Sequence, residues 1–147
     1  MTALSPGANI GILGGGQLGK MLLDETARLG IRTAVLDPSP DAPARGRTNI
    51  FRVGDLKDYE DVLEFGRSVD LLTFEIEHIN LDALDQLASE GKVIHPSPKL
   101  LRIVSDKTAQ KRLYVENDIP TLPFATFETL KELEASKCGL QAVLKAA

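Results

Sequence analysis

Several features are scarce or missing in this chain, and each absence excludes a class of protein. Among 147 residues there is a single cysteine, Cys138, so no intrachain disulfide can form and a reduced, cytoplasmic setting is expected. No run of about 18 apolar residues occurs, which predicts that no segment spans a membrane. The first residues lack the basic start and apolar run of a signal peptide.

The chain also has no excess of positive charge. The net charge is −4 and the isoelectric point is about 5.2, which argues against sequence-independent binding of nucleic acid. There is no Walker motif, no Ser–His–Asp or Cys–His nucleophile signal, and no His/Cys/Asp/Glu spacing that predicts a metal site. These absences leave a globular protein whose chemistry depends on other motifs.

The composition that is present is that of an ordinary globular chain. Hydrophobic residues make up 43% and charged residues 26%, which excludes a disordered tail, a collagen-like fibre and a coiled-coil rod. Residues 55–90 carry a net charge of −9, whereas residues 99–112 carry +4. This change of sign, followed by the turn-rich residues 118–123, predicts a domain over residues 1–100, a linker helix and turn over 101–123, and the beginning of a second domain over 124–147.

Strand and helix patterns alternate in the first hundred residues. Short apolar runs predict strands at residues 9–13, 33–36, 50–53, 69–74 and 93–94. Helical spacing separates most of them, as in the first helix, where Leu18, Met21, Leu22 and Leu29 precede Gly30. Strands joined by single helices predict an α/β fold with a parallel sheet and helices on both faces. A further strand at residues 142–144 would open the second domain.

A glycine-rich loop follows the first predicted strand. Residues 14–19 match G-x-G-x-x-G between a strand and a helix, so the candidate ligand-binding positions are Gly15, Gly16, Gln17 and Leu18. Glycines allow a ligand to approach the backbone, and the unpaired N–H groups of the first helical turn attract an anion. The alternative is a glycine turn that only packs the helix on the strand.

Polar side chains follow two other predicted strands. Asp37 ends the second strand, where it either accepts a hydrogen bond from a ribose hydroxyl or starts an Asp-Pro turn. Glu75 and His78 follow the strand at 69–74, where open α/β sheets place ligands, unless they belong to a solvated turn. His95, before Pro96, is interpreted as a structural residue at a strand end.

Three lysines form a second set of candidates. Lys107 and Lys111 are spaced i and i+4, which puts both on one helix face, either beside an anion or in solvent. Lys145 lies at a core-facing position of the predicted strand that starts with residues 142–144, where a phosphate would be a suitable partner.

Taken together, the motifs resemble those of the N5-carboxyaminoimidazole ribonucleotide synthetase family, the ATP-grasp ATPase subunits of phosphoribosylaminoimidazole carboxylase. The stretches that carry the resemblance are residues 14–21, 36–44, 73–79 and 95–98, followed by Asp106-Lys107 and Gln110-Lys111. They cover nearly the whole chain in the same order. The resemblance implies a Rossmann-like pre-ATP-grasp domain followed by the start of an ATP-grasp domain.

The resemblance also implies a reaction in purine biosynthesis. ATP would phosphorylate bicarbonate to carboxyphosphate, which would carboxylate the amine of 5-aminoimidazole ribonucleotide. The glycine loop would hold the ribonucleotide's phosphate, Glu75 and His78 would line the same cleft, and Lys107 and Lys145 would contact ATP. The family's Mg²⁺ ligands are expected beyond residue 147, so this chain alone is expected to be inactive. A homodimer is also implied.

Two other functions remain open at this point. A stand-alone NAD-type binding module would use the same glycines and Asp37. A sister pre-ATP-grasp enzyme, such as the formate-dependent glycinamide ribonucleotide transformylase, would share the fold, although the residues at 74–78 fit it less well.

Overall fold

Five strands and six helices make up residues 7–136, the part of the chain that the computed structural model describes. The strands are β1 (Asn9–Leu13), β2 (Arg32–Asp37), β3 (Ile50–Val53), β4 (Leu71–Phe74) and β5 (Val93–Ile94). The helices are α1 (Gln17–Arg28), α2 (Tyr59–Arg67), α3 (Leu81–Ser89), α4 (Pro98–Ser105), α5 (Lys107–Glu116) and α6 (Leu130–Ala135). Each of the five strands overlaps a strand that the sequence predicts.

All the strands form one parallel sheet in the order β3-β2-β1-β4-β5. β1 therefore lies at the centre, paired with β2 on one side and with β4 on the other. In this register Leu13 lies opposite Leu36 and Phe74, so the carboxyl ends of the three central strands coincide at one edge of the sheet. The residues that follow these strands are brought together at that edge.

Helices cover both faces of the sheet. Side chains of β1 alternate between them: Ile12 packs with Leu23 of α1, whereas Leu13 belongs to the core that includes Phe65 of α2 and Leu87 of α3. Burial on both faces explains why the central strands β1 and β2 are apolar runs rather than alternating patterns. The predicted fold class, a Rossmann-like parallel sheet with helices on both sides, is confirmed.

The buried residues of α1 are not the apolar residues whose spacing predicts the helix. Leu18, Met21, Leu22 and Leu29 have the predicted helical spacing, yet all four are exposed. The buried positions of α1 are Gly19, Leu23 and Thr26. A Cβ atom at Gly19 would lie 2.7 Å from the carbonyl oxygen of Gly14, so a close approach of backbone to backbone, rather than a large apolar side chain, fixes the start of this helix.

The chain divides after Leu101 into two compact units. In the first unit, the buried core extends from the sheet to Leu101 at the start of α4. In the second unit, α5 begins at Asp106, whose carboxylate accepts hydrogen bonds from the amides of Thr108 and Ala109, and neither α5 nor α6 contains a buried residue. The predicted domain bounds stay a prediction, and the predicted strand at 142–144 lies outside the described residues.

No helix within residues 7–136 combines the length and hydropathy that a membrane span requires.

Candidate functional site at the carboxyl edge of the sheet

The candidate site is the place where the connections of the sheet diverge. The chain leaves β1 toward β2 through α1, while β4 pairs on the opposite side of β1, so the strand order reverses at β1. Open α/β sheets bind ligands in the crevice at such a reversal, beyond the carboxyl ends of the strands. The glycine loop, Asp37 and Glu75 all occupy this edge.

The glycine loop turns sharply after β1. Gly14 has a φ of +101°, and its amide donates to the carbonyl oxygen of Leu36 at 2.9 Å. The positive φ favours glycine, and a Cβ atom there would lie 2.8 Å from Oε1 of Glu75, so any side chain would displace that carboxylate. The conformation of the loop therefore depends on the side chain of Glu75 as well as on the turn at Gly14.

Two carboxylates accept hydrogen bonds from this loop. The amide of Gly15 donates to Oδ2 of Asp37 at 2.7 Å, and the amide of Gly16 donates to Oε1 of Glu75 at 3.1 Å. Asp37 comes from β2 and Glu75 from the end of β4, so the loop is tied to both strands that flank β1. A carboxylate can accept about four hydrogen bonds, so Glu75, whose Oε1 accepts from Gly16, retains capacity for a ligand.

The start of α1 differs from the other helix starts. Its N-cap is Gly16, which has no side chain to accept the hydrogen bonds of the first turn. The other helices in the described part of the chain begin beside a capping side chain. These capping residues are Asp58, Asn80, Ser97, Asp106 and Thr129.

The amides at the start of α1 are consequently available to an anion. The first intrahelical bond runs from Lys20 to Gly16, so Gln17, Leu18 and Gly19 precede the hydrogen-bonded part of the helix. Leu18 is 63% exposed and Gln17 is exposed, so this turn is accessible. The helix dipole adds positive potential at this point. The arrangement combines amide donors for an anion with carboxylate acceptors for N–H or O–H groups.

The surroundings of His78 differ from those of Glu75. It is exposed in the connection between β4 and α3, between Glu77 and the buried Ile79. The contacts of the described residues tie Glu75, but not His78, to the glycine loop. His95 lies directly after β5, where its amide donates to the carbonyl oxygen of Leu72.

The lysines of the second unit have separate local partners. The ammonium of Lys107 donates to the carbonyl oxygen of Val104 at 2.9 Å. The ammonium of Lys111 donates to the hydroxyl of Thr121 and lies 5.6 Å from the centre of the Phe124 ring. Each of the two lysines thus has its own protein partner. Lys145 lies outside the described residues.

One contributor to the site was not predicted as a functional residue. The amide of Ala44, in the connection between β2 and β3, donates to the carbonyl oxygen of Gly15 at 3.0 Å. Ala44 is fully buried, and its Cβ atom would lie 3.2 Å from a Cβ atom at Gly15. The available signal was the alternation of small residues at 42 and 44, which permits this close packing.

Comparison with known proteins agrees with this geometry. The sequence pattern of the ribonucleotide synthetase pre-ATP-grasp domain matches residues 8–105, which is about two-thirds of the chain. The chain belongs to this family. The matched residues include the glycine loop, Asp37 and Glu75, so the family match and the candidate site coincide.

Relatives and solved structures of the pre-ATP-grasp family extend the comparison. The chain is 38% identical over 138 residues to N5-carboxyaminoimidazole ribonucleotide synthase from Pseudomonas aeruginosa, covering 92% of this chain and 38% of that protein. The corresponding synthetase structure from Thermotoga maritima matches with a TM-score of 0.79 and 38% identity, over 85% of this chain and 35% of that one.

A third match contains ligands. N5-carboxyaminoimidazole synthase from Aspergillus clavatus, in complex with ADP and 5-aminoimidazole ribonucleotide, matches with a TM-score of 0.71 and 35% identity, over 79% of this chain and 31% of that one. The chain spans between 14% and 38% of the length of the curated relatives considered. The resemblance inferred from the motifs is confirmed.

Proposed function

We propose that this chain supplies the ribonucleotide-binding part of an N5-carboxyaminoimidazole ribonucleotide synthase, an ATP-dependent ligase of purine biosynthesis. The observation that carries the proposal is the coincidence of the pre-ATP-grasp match with an uncapped helix start flanked by two carboxylates. The proposed substrate is 5-aminoimidazole ribonucleotide, the molecule held by the similar Aspergillus clavatus enzyme.

The chemistry of the site fits a ribonucleotide. The phosphate would accept hydrogen bonds from the amides at the start of α1, where an anion is favoured. Glu75 would accept a hydrogen bond from an N–H or O–H group of the same molecule, since a carboxylate bound to one backbone amide keeps further acceptor capacity. The residues proposed to form or border the site are Gly15, Gly16, Gln17, Leu18, Asp37, Glu75 and His78.

The remaining reactants belong to the proposed whole enzyme. ATP would phosphorylate bicarbonate, and the carboxyphosphate would carboxylate the exocyclic amine of the ribonucleotide. Lys107 and Lys145 are the residues proposed to contact ATP. Among residues 7–136 no group of three or more His, Cys, Asp or Glu side chains could hold a metal ion, so the proposal assigns no Mg²⁺ ligand to them. We also propose that the whole enzyme is a homodimer in the cytoplasm.

A calorimetric titration tests the substrate assignment. We expect saturable binding of 5-aminoimidazole ribonucleotide to the 147-residue chain and none of NADH. Glu75→Gln should weaken ribonucleotide binding by about tenfold, because the amide oxygen can still accept from Gly16 but the charged acceptor is gone. Glu25→Gln removes an exposed carboxylate that pairs with Arg28 and serves as the matched control.

The same titration can contradict the proposal. NADH binding with a Kd below about 100 μM, together with no response to the ribonucleotide, would favour a dinucleotide-binding module instead. Equal affinities of the Glu75→Gln and Glu25→Gln variants would remove Glu75 from the proposed site.

A further inference from the structure

Asp37 accepts hydrogen bonds from three backbone amides, two of them through its side chain. Its Oδ2 accepts from the amide of Gly15 at 2.7 Å, and its Oδ1 accepts from the amide of Ser39 at 2.8 Å. Its own carbonyl oxygen accepts from the amide of Gly54 at 3.2 Å. The half-buried carboxylate therefore joins the glycine loop to the connection that follows β2.

The contacts of Asp37 belong to a larger clamp on the glycine loop. The peptide between Gly15 and Gly16 is held at both ends, because its carbonyl oxygen accepts from Ala44 and its N–H donates to Glu75. Asp37 holds the preceding peptide through the N–H of Gly15. Two consecutive peptides immediately before α1 are thus fixed by groups from outside the loop.

We propose that Asp37 is a positioning residue that holds the glycine loop so that the first amides of α1 face the ligand, rather than a residue that contacts the ribose. Its ligand-binding consequence rests on the proposed function. A carboxylate suits this task, because hydrogen bonds to a charged acceptor are about twice as strong as those between neutral groups. Both of its oxygens are used by the protein's own backbone.

This assignment also bears on which nucleotide the site would accept. In dinucleotide-binding folds, the acidic residue at this strand end accepts hydrogen bonds from the ribose of the adenosine half. Here the carboxylate faces Gly15 and Ser39, and the buried Ala44 packs over the loop from the same connection. The geometry therefore favours a mononucleotide phosphate over a dinucleotide.

The test compares Asp37→Asn with Asp41→Asn, an exposed carboxylate in the same connection. Backbone amide hydrogen exchange, followed by NMR, reports whether the loop is held. An asparagine has one neutral oxygen in place of two charged ones, so one of the two bonds is lost and the other is weakened. The amides of Gly15 and Ser39 should therefore both exchange faster in Asp37→Asn only. The Ala83 amide, bonded to Asn80 at the start of α3 and outside the glycine loop, is the internal reference.

Two ligands separate positioning from direct contact. We expect Asp37→Asn to weaken the binding of inorganic phosphate and the binding of 5-aminoimidazole ribonucleotide by the same factor, on the order of tenfold, since both ligands depend on the α1 amides. A loss confined to the ribonucleotide, with unchanged exchange at Gly15, would show contact with the ribose and overturn the proposal. Faster exchange with unchanged affinities would overturn it as well.

A second variant covers a folding failure of Asp37→Asn, and hydrogen exchange covers the case in which the chain binds no ligand. Asp37→Ser provides a second, smaller variant, should the asparagine variant fail to fold; it should show the same exchange and affinity changes. If the unmutated chain binds neither ligand, the proposed function fails, whereas the exchange of Gly15 still decides whether Asp37 holds the loop: unchanged exchange in both variants overturns the positioning role.

Discussion

The amide of Gln17 is the most direct test of the anion site at the scale of a residue. Gln17 is the first residue of α1, and proline is well tolerated at this position because its missing N–H would be unpaired there and its fixed φ suits a helix. Gly16 has an extended backbone, with φ −66° and ψ −163°, which is compatible with a following proline. One amide can therefore be deleted at little structural cost.

We expect Gln17→Pro to weaken binding of 5-aminoimidazole ribonucleotide by about tenfold or more, the effect of losing one hydrogen bond to a charged group. Gln17→Ala, which removes the same side chain but keeps the N–H, is the matched control and should bind more tightly than the proline variant. Calorimetry gives both affinities, and circular dichroism checks that α1 is intact. Equal binding by the two variants would show that this amide does not contact the ligand.

The residues of the site could be predicted from sequence to the extent that they follow strands. Asp37 and Glu75 were found because the carboxyl ends of adjacent parallel strands meet at one edge. Their actual partners could not be predicted, since the bonds to Gly15 and Gly16 depend on the register of three strands. Ala44 was not predicted, because small residues at 42 and 44 permit close packing but do not indicate what they pack against.

At the scale of elements, strands were easier to predict than helix faces. β1, β3 and β5 have the predicted bounds, because short apolar runs ended by glycine or polar residues are typical of parallel strands, even where, as in β3, most residues are exposed. For α1, the apolar residues that predicted the helix lie on its exposed side, and the contact with the sheet is made through Gly19 and Leu23. Spacing predicts a helix but not which face is buried when a glycine makes the closest approach.

The link between α2 and α3 predicts a dependence on pH. The guanidinium of Arg67 donates to both carboxylate oxygens of Glu90, at 2.9 Å and 2.5 Å. These bonds, with one from Gln86, lower the pKa of Glu90 from its usual 4.5 to about 2. Because the folded pKa is depressed, this contribution to stability is complete above pH 4.5 and is lost as the pH falls toward 2.

Replacing the guanidinium tests this dependence. In Arg67→Met, we expect the pKa of Glu90 to return from about 2 toward 4.5, as followed by carboxyl NMR. The stability difference between the variant and the original chain should be small, since the pair is exposed, and should disappear at low pH. Arg28→Met, which breaks an exposed pair with Glu25, should leave Glu90 unchanged. A pKa of Glu90 that stays near 2 in Arg67→Met would exclude the ion pair as its cause.

For the whole molecule, the buried core and the candidate site lie in the same unit. The largest fully buried side chains of the described residues extend from Ile12 to Leu101, and all of them lie in the first unit. The helices α5 and α6 bury no residue. Since burial of apolar surface is the main source of stability, the first unit contains the interactions needed to fold by itself.

Two shortened chains test this independence. A chain that stops after Ser105 keeps all of α4, including Leu101, and should unfold cooperatively, with a free energy of unfolding within about 1 kcal/mol of the full chain. A chain that stops after Ser89 loses β5 and with it the buried Ile94 and Leu101, so it should not fold. Urea unfolding followed by circular dichroism distinguishes the two. If the chain ending at Ser105 is unfolded in the absence of urea, the second unit contributes to the stability of the first. If the chain ending at Ser105 instead folds but fails to bind a ribonucleotide that the full chain binds, the site needs residues beyond the pre-ATP-grasp domain.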